Sequence, residues 1–283
     1  MHVITSVEAL SEILDKKRLQ SQIALVPTMG NIHEGHLKLI RAARKACNTV
    51  VVSLFVNPLQ FNETEDYDAY PRTMDADIRL LELSDTDILF VPKDQEILPK
   101  NKFQAEKEDF GELMDILCGK SRPGHFPGVA SIVQQLFLSV RPDVVIFGKK
   151  DYQQLIIVKK IAEKLPFFVE VVGVKTVRTS SGLALSSRNA YLSKEEKKVA
   201  PELYVSLSMI KAALETSKLD FKFIADQEKE RLSGLGFKVE YLELRRASDL
   251  GIARTSDTSL TILAAAWLGK ARLIDNVCLM RTR

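Results

Sequence analysis

Short apolar runs rich in β-branched residues recur through the first part of the 283-residue chain. We interpret these runs as buried strands, at residues 23–26, 50–56, 87–91, 144–147 and 168–174. Between the runs, apolar residues follow helical spacing, at residues 36–47, 73–83, 129–140 and 153–165. Strands that alternate with helices are typical of parallel βαβ units. The pattern therefore predicts an α/β fold with a Rossmann-like, doubly wound parallel sheet.

The pattern changes after Thr176, where a segment with Gly and Ser, residues 179–189, leads into a second set of elements. Helical spacing follows at residues 194–217 and 221–233, and strand-like segments follow at residues 237–244, 259–267 and 272–280. We predict a Rossmann-like domain over residues 1–176 and a smaller α+β domain over residues 177–283 that closes over a crevice. The sequence shows no internal repeat and no low-complexity tract.

Composition restricts the possible functions. A hydrophobic fraction of 46% and a charged fraction of 27% are ordinary for a soluble globular protein. The net charge of +3 gives no argument for nucleic acid or for an anionic membrane. Three widely spaced cysteines predict neither a disulfide framework nor a zinc site. The first residues resemble no targeting signal, and no transmembrane run is present, so we expect a cytoplasmic protein.

The segment from Val26 to His36 lies where a predicted strand feeds a predicted helix. Such a junction presents backbone N–H groups and a partial positive charge, both suited to phosphate. Gly30 and Gly35 allow close backbone approach, and His33 and His36 are expected to be neighbours on the first helical turn. Taken alone, the pattern fits a polar loop with a capping histidine. In this position it resembles the signature of the nucleotidylyltransferase superfamily, which transfers AMP-type groups.

Two more polar segments follow predicted strands. Asn57 and Gln60 can donate and accept hydrogen bonds without charge, which suits a small polar acid, although a Pro turn that caps the strand explains them equally. After Gly148, Lys150 can reach phosphates and Asp151 can accept from ribose hydroxyls or cap a helix. The alternative for this segment is a solvated charged turn.

Two loops complete the candidates. Ser186, Ser187 and Arg188 offer short donors and a planar cation to phosphate oxygens, and the alternative is a flexible linker between the domains. A turn-rich loop at residues 121–129 contains Arg122 and His125. This loop either contacts a phosphate or carboxylate group of a ligand, or it is a rigid structural loop.

Taken together, these segments resemble the pantothenate synthetase family in content and order. The resemblance covers residues 24–276 and includes Tyr70-Pro71-Arg72 and the late stretches at residues 264–269 and 271–276. It implies ATP-dependent condensation of pantoate with β-alanine through a pantoyl-adenylate, with release of AMP and pyrophosphate. It also implies a requirement for Mg²⁺, a first domain that binds nucleotide and pantoate, a second domain that acts as a lid, and a homodimer built through the N-terminal domains.

The resemblance also assigns the binding residues. It implies ATP-binding residues at Met29, Gly30, His33, Gly35, His36, Gly148, Lys150, Asp151, Val177, Leu185, Ser186, Ser187 and Arg188. It implies pantoate contacts at Gln60 and Gln154, with Gln60 also near β-alanine and Asn57 nearby.

The resemblance assigns catalysis to His36, as a proton donor, together with His33, Lys150 and Arg188. Charge that develops on the triphosphate must be neutralised, and these side chains with Mg²⁺ suit that task. Asp77 is the candidate Mg²⁺ ligand by its position in the family pattern, and the alternative is a solvated helical carboxylate beside Asp75.

The chain departs from the family pattern at Lys149 and Cys118, where relatives usually carry acidic residues. Two other functions remain open from the sequence. One is a nucleotidylyltransferase of another small cofactor precursor that stops at an adenylylated product. The other is a non-catalytic nucleotide-binding or RNA-binding protein, which the near-neutral charge disfavours.

Overall fold

The computed structural model of the chain describes residues 1–62, 67–98, 110–216 and 220–281. These residues form two compact units. The first contains residues 1–149 and 154–175, and the second contains residues 150–153 and the described residues from 176 onward. The main part of the second unit begins at residue 176, one residue before the predicted second domain. This unit also includes residues 150–153, which lie within the predicted first domain.

The first unit is built on a six-stranded parallel sheet with the strand order β1-β4-β3-β2-β5-β6. Its strands are β1 (His2–Ile4), β2 (Ile23–Thr28), β3 (Thr49–Leu54), β4 (Ile88–Phe90), β5 (Val144–Gly148) and β6 (Glu170–Val174). The central strands are mostly apolar because neither face of the sheet is exposed there. Successive strands β2, β3 and β4 run outward in one direction, and β5 returns to the other side of β2. Loops at the carboxyl ends of β2 and β5 therefore flank the topological switch point, where such sheets bind ligands.

Seven helices accompany this sheet within the part of the first unit that the structure describes. They are α1 (Val7–Arg18), α2 (Glu34–Ala46), α3 (Met74–Glu82), α4 (Asp94–Ile97), α5 (Cys118–Ser121), α6 (His125–Val140) and α7 (Tyr152–Glu163), and short 3₁₀ turns lie at Pro58–Gln60, Gly111–Met114 and Lys149–Asp151. Helix α7 begins within the segment that belongs to the second unit.

The second unit is an antiparallel three-stranded sheet with helices. Its strands, in spatial order, are β7 (Phe237–Arg246), β8 (Ser259–Leu268) and β9 (Ala271–Met280). Its helices are α8 (Lys194–Val199), α9 (Glu202–Thr216) and α10 (Phe221–Gly234), and a 3₁₀ turn lies at Ser187–Tyr191. The predicted fold class, a parallel α/β sheet with a smaller α+β part, is confirmed.

Several predicted boundaries were wrong for local reasons. Residues 194–217 contain two helices because Pro201, between α8 and α9, lacks the N–H that a continuous helix needs. The predicted loop at residues 121–129 is instead the end of α5 followed by the first turn of α6. Pro127 is tolerated there because the first N–H groups of a helix have no partner within the helix. The sequence does not predict the three-residue strand β1, because so short a run has no detectable periodicity.

Helix α6 lies directly against the 3₁₀ turn Pro58–Gln60, backbone to backbone. A Cβ atom added to Gly128 would lie 2.0 Å from the Leu59 carbonyl oxygen and 2.7 Å from the Gln60 backbone nitrogen. Neither backbone atom can move as a flexible side chain can. The position therefore requires glycine, and the contact fixes the backbone position of Gln60.

We expect Gly128→Ala to lower the free energy of unfolding by at least about 1–3 kcal/mol, because the added methyl group overpacks a backbone contact. Urea denaturation measures the change. Gly234→Ala is the matched control, since a Cβ there meets nothing within 4 Å. The control is expected to be neutral or to gain up to about 1 kcal/mol. Equal stability of Gly128→Ala and the wild type would show that the contact yields without cost.

Candidate functional site

The turn that follows β2 has a left-handed backbone. Gly30 has φ +80° and Asn31 has φ +51°, so the chain reverses sharply between the strand and helix α2. The Thr28 hydroxyl donates to the Ser53 carbonyl oxygen at 2.9 Å and accepts from the Gly30 N–H at 3.2 Å. Glycine suits the first of these positions, because a Cβ there would lie 3.0 Å from the Asp77 carboxylate as well as straining the backbone.

Asp77 anchors this turn from helix α3. Its side chain is 2% exposed, and its two oxygens accept from the Asn31 N–H at 2.9 Å and from the Ile32 N–H at 2.7 Å. The Thr73 hydroxyl donates to both oxygens at 3.1 Å. These bonds identify Asp77 as a buried support of the turn, and not as the solvated carboxylate that the sequence offered as its alternative role.

The hydrogen bonds of Asp77 also determine whether its carboxylate could bind Mg²⁺ directly. Both Asp77 oxygens are already engaged by protein donors, so the carboxylate as it stands does not fit direct metal ligation. Among the residues that the structure describes, no group of three His, Cys, Asp or Glu side chains could hold a metal ion.

Helix α2 begins with a capping box made of two histidines. His33 is the N-cap residue, and its Nδ1 accepts from the Gly35 N–H at 3.1 Å. The Nδ1 of His36 accepts in turn from the His33 N–H at 3.3 Å. The two rings stack with their centroids 4.1 Å apart and their planes 26° apart.

This arrangement fixes the tautomer of both rings. A backbone N–H can only donate, so each Nδ1 must be the acceptor and carries no hydrogen. The hydrogen of each neutral imidazole therefore resides on Nε2. Both rings present an Nε2–H donor at a helix N-terminus, which suits a phosphate oxygen.

The Gln60 side chain is held by two of its neighbours. Its side-chain Nε2 donates to the Met29 sulfur at 2.7 Å, and its Oε1 accepts from Asn57 Nδ2 at 3.1 Å. Asn57 is 3% exposed, and its Nδ2 also donates to the Gly128 carbonyl oxygen at 3.1 Å while its Oδ1 accepts from the Leu59 N–H at 3.0 Å. Both amide hydrogens of Asn57 are thus used within the protein, and its direct effect is to orient Gln60.

The Arg122–His125 loop supports Gln60 from the other side. His125 is 8% exposed, and its Nδ1 lies 2.8 Å from the Gln60 carbonyl oxygen. That oxygen only accepts, so Nδ1 carries the hydrogen, and Nε2 accepts from Arg122 Nη1 at 2.9 Å. The tautomer is the opposite of that of His33 and His36. Of the two roles that the sequence left open for this loop, rigid support is the one that these bonds describe.

A cavity of about 240 Å³ opens beside the β2 turn. Its lining includes Met29, Gly30, Arg72, Thr73 and Asp77. The volume suits a small molecule and is below that of typical drug-sized pockets.

In the second unit, the segment at residues 150–153 is tied to the small sheet. The Lys150 ammonium lies 3.8 Å from the Asp151 carboxylate. The Tyr152 hydroxyl donates to the Ala247 carbonyl oxygen at 2.9 Å. Burial, and next the neighbouring Cys278, raise the pKa of Tyr152 to about 12.

The Ser-Arg segment follows a tight hairpin in the same unit. The Leu185 N–H donates to the Val177 carbonyl oxygen at 2.9 Å, and Gly182 turns the chain with φ +101°. Ser186 then caps the 3₁₀ turn Ser187–Tyr191 by accepting from the Arg188 N–H at 3.3 Å. The segment is therefore an ordered hairpin and turn, and not the flexible linker that the sequence left open as the alternative.

The structure distributes the predicted site residues between the two units. Met29, Gly30, His33, Gly35, His36, Asn57, Gln60, Asp77, Gly148 and Gln154 lie in the first unit, and Lys150, Asp151, Val177, Leu185, Ser186, Ser187 and Arg188 lie in the second. The His33 and His36 rings stack on each other, and the Gln60 side chain forms hydrogen bonds with Met29 and with Asn57. Lys150 and Ser186 line one small cavity in the second unit.

Three comparisons with known proteins agree. The sequence model of the family described as pantoate-beta-alanine ligase matches residues 2–278. A pantothenate synthetase of Shewanella sp. (strain MR-7) is 48% identical over 255 residues, which cover 90% of each chain. A crystal structure of pantothenate synthetase from Thermus thermophilus matches with a TM-score of 0.89 and 40% identity, over 98% of this chain and 99% of that chain.

A third relative is a pantoate-beta-alanine ligase from Francisella tularensis, complexed with beta-gamma ATP and beta-alanine. It is 31% identical with a TM-score of 0.79, over 98% of this chain and 97% of that one. Within the described ranges, no helix combines the length and the apolar character that crossing a bilayer requires.

We expect Asp77→Asn to lower the free energy of unfolding by about 1–3 kcal/mol, because one of the two backbone N–H groups would face an amide NH₂ in place of an oxygen. Thermal and urea denaturation measure the loss. Asp75→Asn is the matched control, since Asp75 lies exposed in the same first turn of α3 and is expected to change stability by less than about 0.5 kcal/mol. If the two variants were equally stable, Asp77 would not be the anchor of the turn.

Proposed function

The chain belongs to the family of pantoate-beta-alanine ligases, and on that premise we propose that it joins pantoate to β-alanine through a pantoyl-adenylate. It is an ATP-dependent ligase of the pantothenate synthetase kind. In the proposed first step a pantoate carboxylate oxygen attacks the α-phosphorus of ATP, and pyrophosphate leaves. In the second step the β-alanine nitrogen attacks the acyl carbon, an amide bond forms, and the bond to AMP breaks.

The observation that carries the proposal is the pair of stacked histidine rings that cap helix α2, whose Nδ1 atoms both accept from backbone N–H groups. Negative charge increases on phosphate oxygens as pyrophosphate departs, and preformed donors at a helix N-terminus stabilise that charge without reorganising. Because the stacked rings cap the helix, their direction is set before any ligand binds. His33 and His36 are thus suited to donate hydrogen bonds to the triphosphate in their neutral form. The proton-donor role proposed for His36 requires its imidazolium form, in which Nδ1 no longer accepts from the His33 N–H.

Pantoate is proposed to bind at Gln60 and Gln154, with β-alanine near Gln60. A carboxylate is already a nucleophile, so this half of the site has to orient the acid and needs no base. The bonds from Asn57 and His125 to the Gln60 residue support such orientation. In this proposal Asn57 acts through Gln60.

The proposed nucleotide-binding residues include two cations and a carboxylate. Lys150 and Arg188 supply charge to phosphate oxygens, and Asp151 accepts from ribose hydroxyls. Met29, Gly30, Gly35, Gly148, Val177, Leu185, Ser186 and Ser187 complete the proposed ATP site. The magnesium complex of ATP is proposed as the true substrate, with the ion carried mainly by the phosphates.

The proposal also covers the roles of the two domains, the oligomeric state, the location and the partners of the protein. Residues 1–176 are proposed to bind nucleotide and pantoate, and residues 177–283 to act as a lid. The protein is proposed to be a cytoplasmic homodimer that meets its substrates as free small molecules, with no nucleic acid or membrane as partner.

The activity is tested by exchange of labelled pyrophosphate into ATP. We expect exchange that depends on pantoate and needs no amine, and pantothenate with AMP once β-alanine is added. Exchange with release of a stable adenylylated product, and no pantothenate, would favour a nucleotidylyltransferase. ATP binding with neither exchange nor AMP formation would favour a non-catalytic protein.

The two nitrogens of His36 can be tested separately, because an Asn amide superposes on Nδ1 and a Gln amide on Nε2. We expect His36→Asn to keep the cap and stability, and to lose about 100-fold or more in kcat because the Nε2–H donor is gone. We expect His36→Gln to lose about 1 kcal/mol of stability with the cap, yet to retain more activity than His36→Asn. Pyrophosphate exchange and urea denaturation give the two readouts.

His2→Asn is the control, since His2 lies exposed on the edge strand β1, which β4 and β3 separate from β2. It is expected to match the wild type in both measurements. The reverse order of activity, with His36→Asn above His36→Gln, would contradict the assigned role of Nε2.

A further inference from the structure

We propose that Asp275 and Asn276 on strand β9 are positioning residues, which hold the Lys150 segment and the Ser186–Arg188 segment of the second unit in one arrangement. The inference rests on the proposed role of those two segments in binding ATP. Neither residue is placed in contact with substrate. Each acts through backbone or side chains that the proposal assigns to the nucleotide.

Asn276 holds the Lys150 backbone. It is 7% exposed, and its Nδ2 donates to the Lys150 carbonyl oxygen at 2.9 Å. Lys150 lies in a single turn of 3₁₀ helix, where one hydrogen bond has a large influence on backbone direction. The bond of Tyr152 to Ala247 holds the far end of the same segment. Together the two bonds attach the lysine segment to the small sheet at two points.

Asp275 holds the hairpin that precedes Ser186. It is 5% exposed, and both of its oxygens accept from the guanidinium of Arg178, with Nη2 to Oδ1 at 2.8 Å. Arg178 also donates to the Gly182 carbonyl oxygen at 3.2 Å, and its guanidinium lies 3.6 Å from the ring centroid of Tyr204. Three different contacts thus fix one arginine, and Arg178 is paired through its backbone with Ala184 in the hairpin.

The two attachments are coupled to each other. Asp275 Oδ1 also accepts from the Asn276 N–H at 2.8 Å, so the orientation of the carboxylate and that of the next residue are set together. Lys150, Ser186 and Asp275 line a common cavity of about 10 Å³, about the size of one water molecule. The lysine segment and the serine segment therefore adjoin, and adjacent residues of one strand hold both.

Stability alone does not account for such a pair. A buried ion pair returns little net stability compared with apolar residues of the same size, because both charges lose their hydration. The Arg178–Asp275 pair instead fixes the orientation of the two side chains relative to each other, because two parallel hydrogen bonds form in only one planar arrangement. A misplacement of about 1 Å in a site that binds a triphosphate is enough to reduce the rate about 100-fold.

The test uses pyrophosphate exchange with the full-length protein and the variants Asn276→Ala and Asp275→Asn. We expect kcat/KM for ATP to fall about 10- to 100-fold, with the KM for pantoate changed less than about 2-fold. Arg178→Lys keeps the charge but not the two parallel bonds, and we expect it to behave like Asp275→Asn. Full activity of Arg178→Lys would overturn the requirement for that geometry.

Glu228→Gln is the matched control. Glu228 is 7% exposed in the same unit and accepts from Arg231 at 2.8 Å and from Ser206 at 2.7 Å. The substitution removes a comparable buried carboxylate without touching Lys150 or the hairpin. We expect a lower melting temperature and an unchanged KM for ATP. A loss of kcat/KM in Glu228→Gln equal to that in Asp275→Asn would reduce the effect to general destabilisation and overturn the proposal.

Amide hydrogen exchange followed by mass spectrometry gives a readout that needs no activity. Asn276→Ala is expected to speed exchange at residues 150–153 and 183–189, and Glu228→Gln is not. Unchanged exchange at both segments in Asn276→Ala would overturn the positioning role. If the wild type showed no pantoate-dependent pyrophosphate exchange, the proposed function would fail, and the amide measurement would still decide this inference.

Discussion

The first N–H groups of a helix have no partner within the helix, and this constraint shapes the start of α2. Each N–H needs an acceptor, and the chain supplies imidazole nitrogens where serine or aspartate is more common. Since each Nδ1 accepts from a backbone N–H, the hydrogen of each neutral ring resides on Nε2. A structural need thus determines the tautomer of both histidines.

The same principle extends to the turn just before the helix. A left-handed backbone at Gly30 and Asn31 leaves N–H groups that no neighbouring strand can accept from, and the Asp77 carboxylate accepts two of them. The acceptor comes from a helix about 46 residues further along the chain. The strand, the turn and the helix are therefore held as one piece, and the candidate phosphate site inherits that rigidity.

Local patterns in the sequence were enough to predict the sheet, the class of fold and the position of the histidine pair. Strands such as β2 and β3 are apolar because they are buried, and the histidines follow the first of them directly. Supporting residues could not be predicted in this way, because their partners are distant in sequence. Asp77 resembles any acidic residue in a first helical turn, and Asn276 meets Lys150 across 126 positions. A useful signal was present only for Asn276, which is a polar side chain inside a mostly apolar strand.

The lysine segment at residues 150–153 clusters with the second unit although the chain on both sides of it belongs to the first. The polypeptide therefore passes between the units at three junctions, after residues 149, 153 and 175. A single cut cannot separate the two units as independent modules, because a fragment that starts at residue 176 lacks the partners of Asn276 and Ala247.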